Sequence, residues 1–309
     1  MPMWVRVTAF VITHSHMIRT KLSHFETHQA TKKMLSGPLR KMRAELGNEN
    51  HPDEVNYFLR AGQQELPLNP YIGKYLKLEF RDNITCKNCG RKANKSFSQG
   101  FCFPCMRRLA QCDMCILKPE TCHFHEGTCR EPEWGEKNCF VPHFVYLSNT
   151  SGLKVGITRH SQIPTRWIDQ GATQASIMFK VKTRRQSGYV ETAFKGLIAD
   201  KTNWRTMLKE NQPDMDLLAK ADELMAMFHA DMSHCVDVFP AEDIVAQSDE
   251  VTSIRYPVLE FPEKIKSHNF DKHPVVEGTL MGIKGQYLLF DTGVINIRKF
   301  TSYEVRVSD

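Results

Sequence analysis

The chain has 309 residues, 41 % hydrophobic content and a formal charge of +6, with ten cysteines. That composition marks an ordinary soluble globular protein with real cores and room for two or three domains, and it does not by itself call for nucleic acid. No P-loop, dinucleotide fingerprint, Ser-His-Asp order, solenoid repeat or membrane-length apolar run is found, so those classes are set aside.

Residues 1–33 show little periodicity, and "WVRVTAFVIT" is short, carries Arg6 and lacks a cleavage site, so this stretch reads as a disordered arm of a cytoplasmic protein. A cleaner start comes at Met34. Residues 34–84 contain "VNYFLRAG" and "LPLNPYIGKYLKLEF", runs that read as strands punctuated by Gly, Pro and Asn.

The region 85–141 is expected to bind zinc. Nine of the ten cysteines lie between Cys86 and Cys139, and such clustering in a cytosolic chain argues for metal rather than disulfides. Cys86–Cys89 and Cys102–Cys105 form two CxxC knuckles separated by twelve residues, the spacing of a closed four-thiolate Zn²⁺ site in a ribbon or treble-clef-like module with a folding role. Downstream, Cys115, Cys122, Cys129 and Cys139 are the favoured donors of a second zinc, with Cys112 or His123 as substitutes. Some of these can equally be buried free thiols.

Residues 142–210 carry the charge asymmetry. From His143 to Arg205 ten Lys or Arg oppose three acids, so this segment is +7 and the remainder −1. Such an excess suits a phosphate-bearing partner, although a solvated face has the same composition. "HFVYL" and "LKVGIT" read as two strands around the turn "SNTSG", "IPTRWIDQGA" as a helix start with Gly171 as its stop, "SIMFKVKT" as a strand, and "SGYVETAFKGLIADKTNW" as an amphipathic helix. Residues 211–232 read as a further helix. The segment 233–309, with "VVEGTLMGIKGQYLLFDTGVINIRKF", reads as antiparallel hairpins that pair with residues 34–84 in one discontinuous β domain.

The ordered combination of Tyr146, Gly156, Arg166 and Glu191 in this hairpin–helix–strand–helix run resembles the GIY-YIG nuclease superfamily over roughly 65 residues. Residues 34–309, with "CGRK", "GTCREPEWGE", "SGLKVGITR", "RWIDQGA" and "GIKGQYLLFD", are similar to the uncharacterised bacterial group called domain of unknown function 2797. The nuclease resemblance implies a small mixed sheet with flanking helices; the discontinuous antiparallel β domain read from the two ends is expected to embrace it and the zinc module in an α+β fold. It also implies divalent-metal-dependent phosphodiester hydrolysis of DNA or RNA. Tyr146 would orient or deprotonate water, Arg166 hold the phosphate, and Glu191 bind Mg²⁺ or Mn²⁺. Gly156, Arg159, Lys182 and Arg184 would lie against the nucleic acid. The chain departs from the family pattern at Phe144, in place of the first glycine, and at Lys154, in place of the second tyrosine. Lys154 could still donate to phosphate or act as a base. Two other functions fit the same residues: a noncatalytic zinc-stabilised DNA- or RNA-binding module, and a zinc-built adaptor for a protein partner. Tyr146 could equally be a packed aromatic, and Arg166 and Glu191 an ion pair between helices.

Overall fold

Alternating apolar and polar residues build the strands at both ends of the chain. β1 (Lys33–Leu46), β2 (Val55–Ala61), β3 (Gln64–Pro67) and β4 (Tyr75–Ile84) precede the cysteine region. β5 (His143–Asn149), β6 (Leu153–Arg159), β7 (Gln174–Val181), β8 (Ile244–Ala246) and β9 (Thr252–Ser253) follow it. β10 (Val275–Lys284), β11 (Tyr287–Phe290), β12 (Gly293–Asn296) and β13 (Tyr303–Ser308) come last. The helices are α1 (Phe103–Arg108), α2 (Pro132–Cys139), α3 (Thr165–Asp169), α4 (Arg184–Phe194), α5 (Trp204–Met207) and α6 (Leu217–Ala230). The computed structural model describes residues 33–47, 50–198, 202–230, 239–247 and 250–309. The expected N-terminal arm, apart from Lys33, lies outside the described residues.

Eight strands form one antiparallel sheet in the order β12-β11-β10-β4-β13-β1-β2-β3. Strands from the two ends interleave: β13 lies between β4 and β1, with Lys33 opposite Ser308 and Pro38 opposite Glu304. In β2 the inward residues Val55, Tyr57, Leu59 and Ala61 are buried while those between are half exposed, the period of two that a one-faced sheet requires. They join Leu39, Leu76, Phe300 and Val305 in the main core, where each large apolar side chain contributes roughly 1.5–3 kcal/mol by leaving water. Tyr146, Trp167 and Ile168 belong to the same core, so α3 and one face of the second sheet pack against the first.

The second sheet runs β6-β5-β7-β8, with β9 also on β7. Every pairing in it is antiparallel, which corrects the expectation of a mixed sheet. α3 carries the chain from β6 across to the far edge of β5, so β7 enters alongside β6 in direction and opposes the strand between them. β8 and β9 come from the segment expected to serve only the β domain; they pair with β7 instead. The face of this sheet away from Tyr146 presents Val145, Leu147, Val155 and Phe179 to Val190 and Phe194 of α4 and to Leu217 and Ala221 of α6.

α4 starts three residues before the expected Ser187. Thr183 accepts from the Gln186 backbone N–H while the Gln186 side chain accepts from the Thr183 N–H, a capping box that fixes the start. Gly188 lets α4 approach the cysteine region closely: a Cβ there would lie 2.6 Å from the Glu120 backbone nitrogen. Among the described residues no helix is long and apolar enough to cross a membrane.

Candidate functional site

The cysteine region is made of α1, α2 and single 3₁₀ turns with little apolar content of its own. Cys86 begins a tight turn closed by Gly90, whose N–H donates to the Cys86 carbonyl at 2.9 Å, and Cys102 caps α1. These two turns bring the sulfurs of Cys86, Cys89, Cys102 and Cys105 within 4.8 Å of one another. The Cys89–Cys102 sulfur separation is 3.7 Å, close to the edge of about 3.8 Å expected for tetrahedral Zn–S bonds of about 2.3 Å. Burial opposes ionisation of Cys86, yet backbone amides at Cys89, Cys102 and Asn88 outweigh it and bring the thiol to about 6. The Asn88 side chain favours a thiolate at Cys105, but burial and the three neighbouring thiols push it up to about 12. One negative sulfur is favoured and four repel, so a dication such as Zn²⁺ suits the set.

The second cysteine group is less regular. Cys115, Cys122, Cys129 and Cys139 all line one enclosed void of about 20 Å³, with Trp134, Phe124, Phe140 and His123 around it. The tightest grouping of donor atoms there is Asp113, Cys115 and His123, a set that sequence spacing did not single out. Asp113 also pairs with Arg130 at 2.6 Å and accepts from the Cys115 N–H. Cys112 lies apart, in the cleft described below.

Tyr146 is fully buried and donates its hydroxyl to Gln170 Oε1 at 2.9 Å. Its ring meets Trp167 edge-on at 6.0 Å. Gly156 stands directly opposite it, and a Cβ at Gly156 would fall 2.6 Å from the phenol oxygen. The backbone approach that the sequence suggested for nucleic acid is therefore taken up by the tyrosine ring. Burial raises the phenol's pKa, the charge and hydrogen bond of Arg166 lower it, and the carboxylates of Glu191 and Asp169 raise it further. Asp169, which sequence reading passed over, has a buried side chain that pairs with Lys41 and accepts from Gln286 Nε2 at 2.9 Å. Glu191 lies 3.9 Å from Lys195.

Other predicted residues sit elsewhere. Lys154 is buried two residues along the hairpin from the Tyr146–Gly156 pair, near Thr202 at 3.4 Å. Lys182 pairs with Asp243, which also accepts from Gln186; it is held outside the cleft because that carboxylate draws it toward the 3₁₀ turn before β8.

Arg159 and Arg184 do line an open cleft of about 530 Å³ between the cysteine region and the small sheet. Arg159 donates to Asn138 Oδ1 at 2.6 Å and Arg184 to the Ile116 carbonyl at 2.7 Å. Lys87 and Arg298 complete the wall. Arg298 follows β12, more than a hundred residues away along the chain, so no spacing rule could have paired it with Arg184. Burial holds Arg184 below the usual arginine value, and the charges of Arg166 and Arg159 add to the effect despite Cys139. Burial likewise lowers Arg298, with Arg166 acting in the same direction and Asp169 against it. Among the described residues no carboxylate ion-pairs with Lys87, Arg159, Arg166, Arg184 or Arg298. The one acid in the cleft lining, Asp113, is already paired with Arg130, and crowded cations that outnumber their counter-charges form a ready anion site.

A family model described as "Protein of unknown function (DUF2797)" matches residues 73–305. No curated protein matches the chain, and no solved structure does.

Proposed function

The chain belongs to the DUF2797 family of proteins of unknown function, and from that premise we propose that it binds the phosphate backbone of a nucleic acid in the cleft beside its zinc module. The observation that carries this reading is the convergence of Lys87, Arg159, Arg184 and Arg298 on one cleft, none of them ion-paired with a carboxylate among the described residues. Their mutual repulsion is relieved by an anionic ligand, and a phosphodiester chain supplies one charge per nucleotide. Structural Zn²⁺ in the Cys86–Cys89–Cys102–Cys105 set would hold Lys87 at the cleft rim. A second Zn²⁺ among Cys115, Cys122, Cys129 and Cys139, or with Asp113 and His123, would hold the opposite wall.

Phosphodiester hydrolysis by a GIY-YIG-type site is the second reading, favoured by the joint action of Arg166 and Glu191 on the Tyr146 phenol. In it Tyr146 orients water, Arg166 holds the phosphate, and Glu191 anchors Mg²⁺ or Mn²⁺, whose remaining ligands are water and substrate oxygens. Full burial of the phenol and its bond to Gln170 place binding ahead of cleavage.

Fluorescence anisotropy with labelled DNA and RNA oligonucleotides tests the first reading. Binding should weaken steeply with salt, and the double variant Lys87→Gln/Arg159→Gln should reduce the log–log salt slope by about 2. Binding that ignores both salt and the variant refutes it. On gels, product that requires Mg²⁺ or Mn²⁺ and vanishes in Glu191→Gln supports hydrolysis; intact oligonucleotide leaves binding alone. Absence of any oligonucleotide binding would leave the protein-partner adaptor.

A further inference from the structure

The cleft does not end at Arg298. Lys87, Gln99, Phe101, Gln111 and Arg298 also wall a second open lobe of about 580 Å³. That lobe continues to Arg40, Lys41, Arg60 and Asn88 at the edge of β1 and β2. The two lobes therefore form one groove with Lys87 and Arg298 at its waist. Arg60 is paired with Glu65 at 3.0 Å and Lys41 with Asp169, whereas Arg40 has no ion-paired carboxylate among the described residues. Asp113, the acid in the first lobe, is already bound by Arg130.

The waist is built with care. Arg298 donates to Gln99 Oε1 at 2.5 Å, and Lys87 donates to the Gln99 carbonyl at 2.9 Å. Ser98, Gln99 and Gly100 all have positive φ, at 42°, 63° and 121°. Two consecutive non-glycine residues in the left-handed region are costly and persist where a fixed backbone shape is needed. The Ser98–Gly100 turn lies between the two CxxC knuckles, so the metal-stapled loop itself forms the waist. The side-chain amides of Asn88, Gln99, Gln111 and Asn138 are distributed along both lobes.

We propose that this two-lobed groove takes an unpaired nucleic-acid strand, which runs from Arg159 and Arg184 across the Ser98–Gly100 turn to Arg40. This rests on the nucleic-acid reading above and adds the strandedness and the path. A duplex presents its phosphates on the outside of a thick rod and its base edges already paired. A walled channel with cations at both ends and amides between them suits a strand whose bases turn inward.

The test uses full-length zinc-loaded protein with labelled single strands of two to twelve nucleotides and a matched duplex, titrated at several salt concentrations. Single strands should bind at least about tenfold tighter than duplex, with affinity rising up to about four to eight nucleotides. In Arg40→Gln, an exposed position that lines the second lobe alone, the shortest strands should bind nearly as before. The gain from lengthening should shrink, and the salt slope for longer strands should become shallower by about 0.7. Equal or tighter duplex binding overturns the proposal, as does a variant that keeps the full gain with length. If no oligonucleotide binds wild-type protein even at low salt, the parent reading falls first and takes this one with it.

Discussion

Replacing Gly156 by alanine tests whether that glycine serves the tyrosine opposite it or a ligand. A Cβ at position 156 would stand 2.6 Å from Tyr146 Oη, 2.7 Å from Cζ and 3.1 Å from Cε2. The ring has little room to retreat, because it is fully buried, set edge-on against Trp167 and tied to Gln170. Overpacking of this kind costs about 1–3 kcal/mol, and a displaced hydroxyl adds about 1 kcal/mol for the lost hydrogen bond. Reduced freedom of the unfolded chain returns roughly 0.4–1 kcal/mol. Gly156→Ala should therefore destabilise by about 2 kcal/mol net. Tyr146→Phe removes the closest atom of the clash and alone costs about 1 kcal/mol. The double variant should be more stable than the sum of the singles implies, with a coupling of about 1 kcal/mol or more. Urea unfolding with zinc held constant, followed by the fluorescence of neighbouring Trp167, measures all four proteins. A Gly156→Ala variant within 0.5 kcal/mol of wild type, or strict additivity in the cycle, would refute the steric account. If stability held and oligonucleotide binding fell, the glycine would serve the ligand after all.

Two further outcomes follow from the site. Cys102→Ser should lower the bound zinc by one equivalent and strip hydrogen-exchange protection from the Cys86–Leu109 segment, since such a site contributes on the order of 10 kcal/mol to folding its module; unchanged metal content or protection would count against the four-thiolate centre. His143 is fully buried, with Nδ1 donating to the Val141 carbonyl at 2.7 Å and no partner for Nε2 among the described residues. Burial, assisted by the charges of Arg184 and Arg159 against the Val141 bond, brings its pKa down to about 4. The neutral ring is native, so its contribution is complete above the unfolded pKa of about 6.5 and declines as pH falls from there through 4, by about 3 kcal/mol in all. His143→Phe should flatten that part of the stability curve between pH 7 and pH 4, as read by urea midpoints; an unchanged acid limb would exclude His143 as its source.

The four-thiolate cluster was legible because CxxC spacing acts locally: two tight turns suffice to aim four sulfurs. The antiparallel sheets and their helices were legible through period, as in β2 and α6. The α4 start was written in Thr183 and Gln186, but apolar periodicity drew the boundary past that signal. Arg298 and Lys41 carried no local signal at all, since only tertiary packing brings the first near α3 and the second to Asp169, which itself stands three residues after Arg166 on that helix. Lys182 and Lys154 show the converse. Their positive charge favoured a place at the ligand, yet partners supplied by distant turns, Asp243 for the first and Thr202 for the second, draw them elsewhere. Composition can count cations, but it cannot say which of them a neighbouring carboxylate has already neutralised.

The placement of β13 between β4 and β1 bears on how the chain is made. A ribosome releases β1 long before Tyr303–Ser308 is translated, so β1 must wait with one edge unpaired, an arrangement prone to premature association. The cysteine module and β5–β7, by contrast, are contiguous in translation and can assemble while the outer sheet is still incomplete. Loop closure across that preassembled middle is shorter than across a free coil, so a metal taken up early by the four cysteines would be a kinetic aid to joining the two ends.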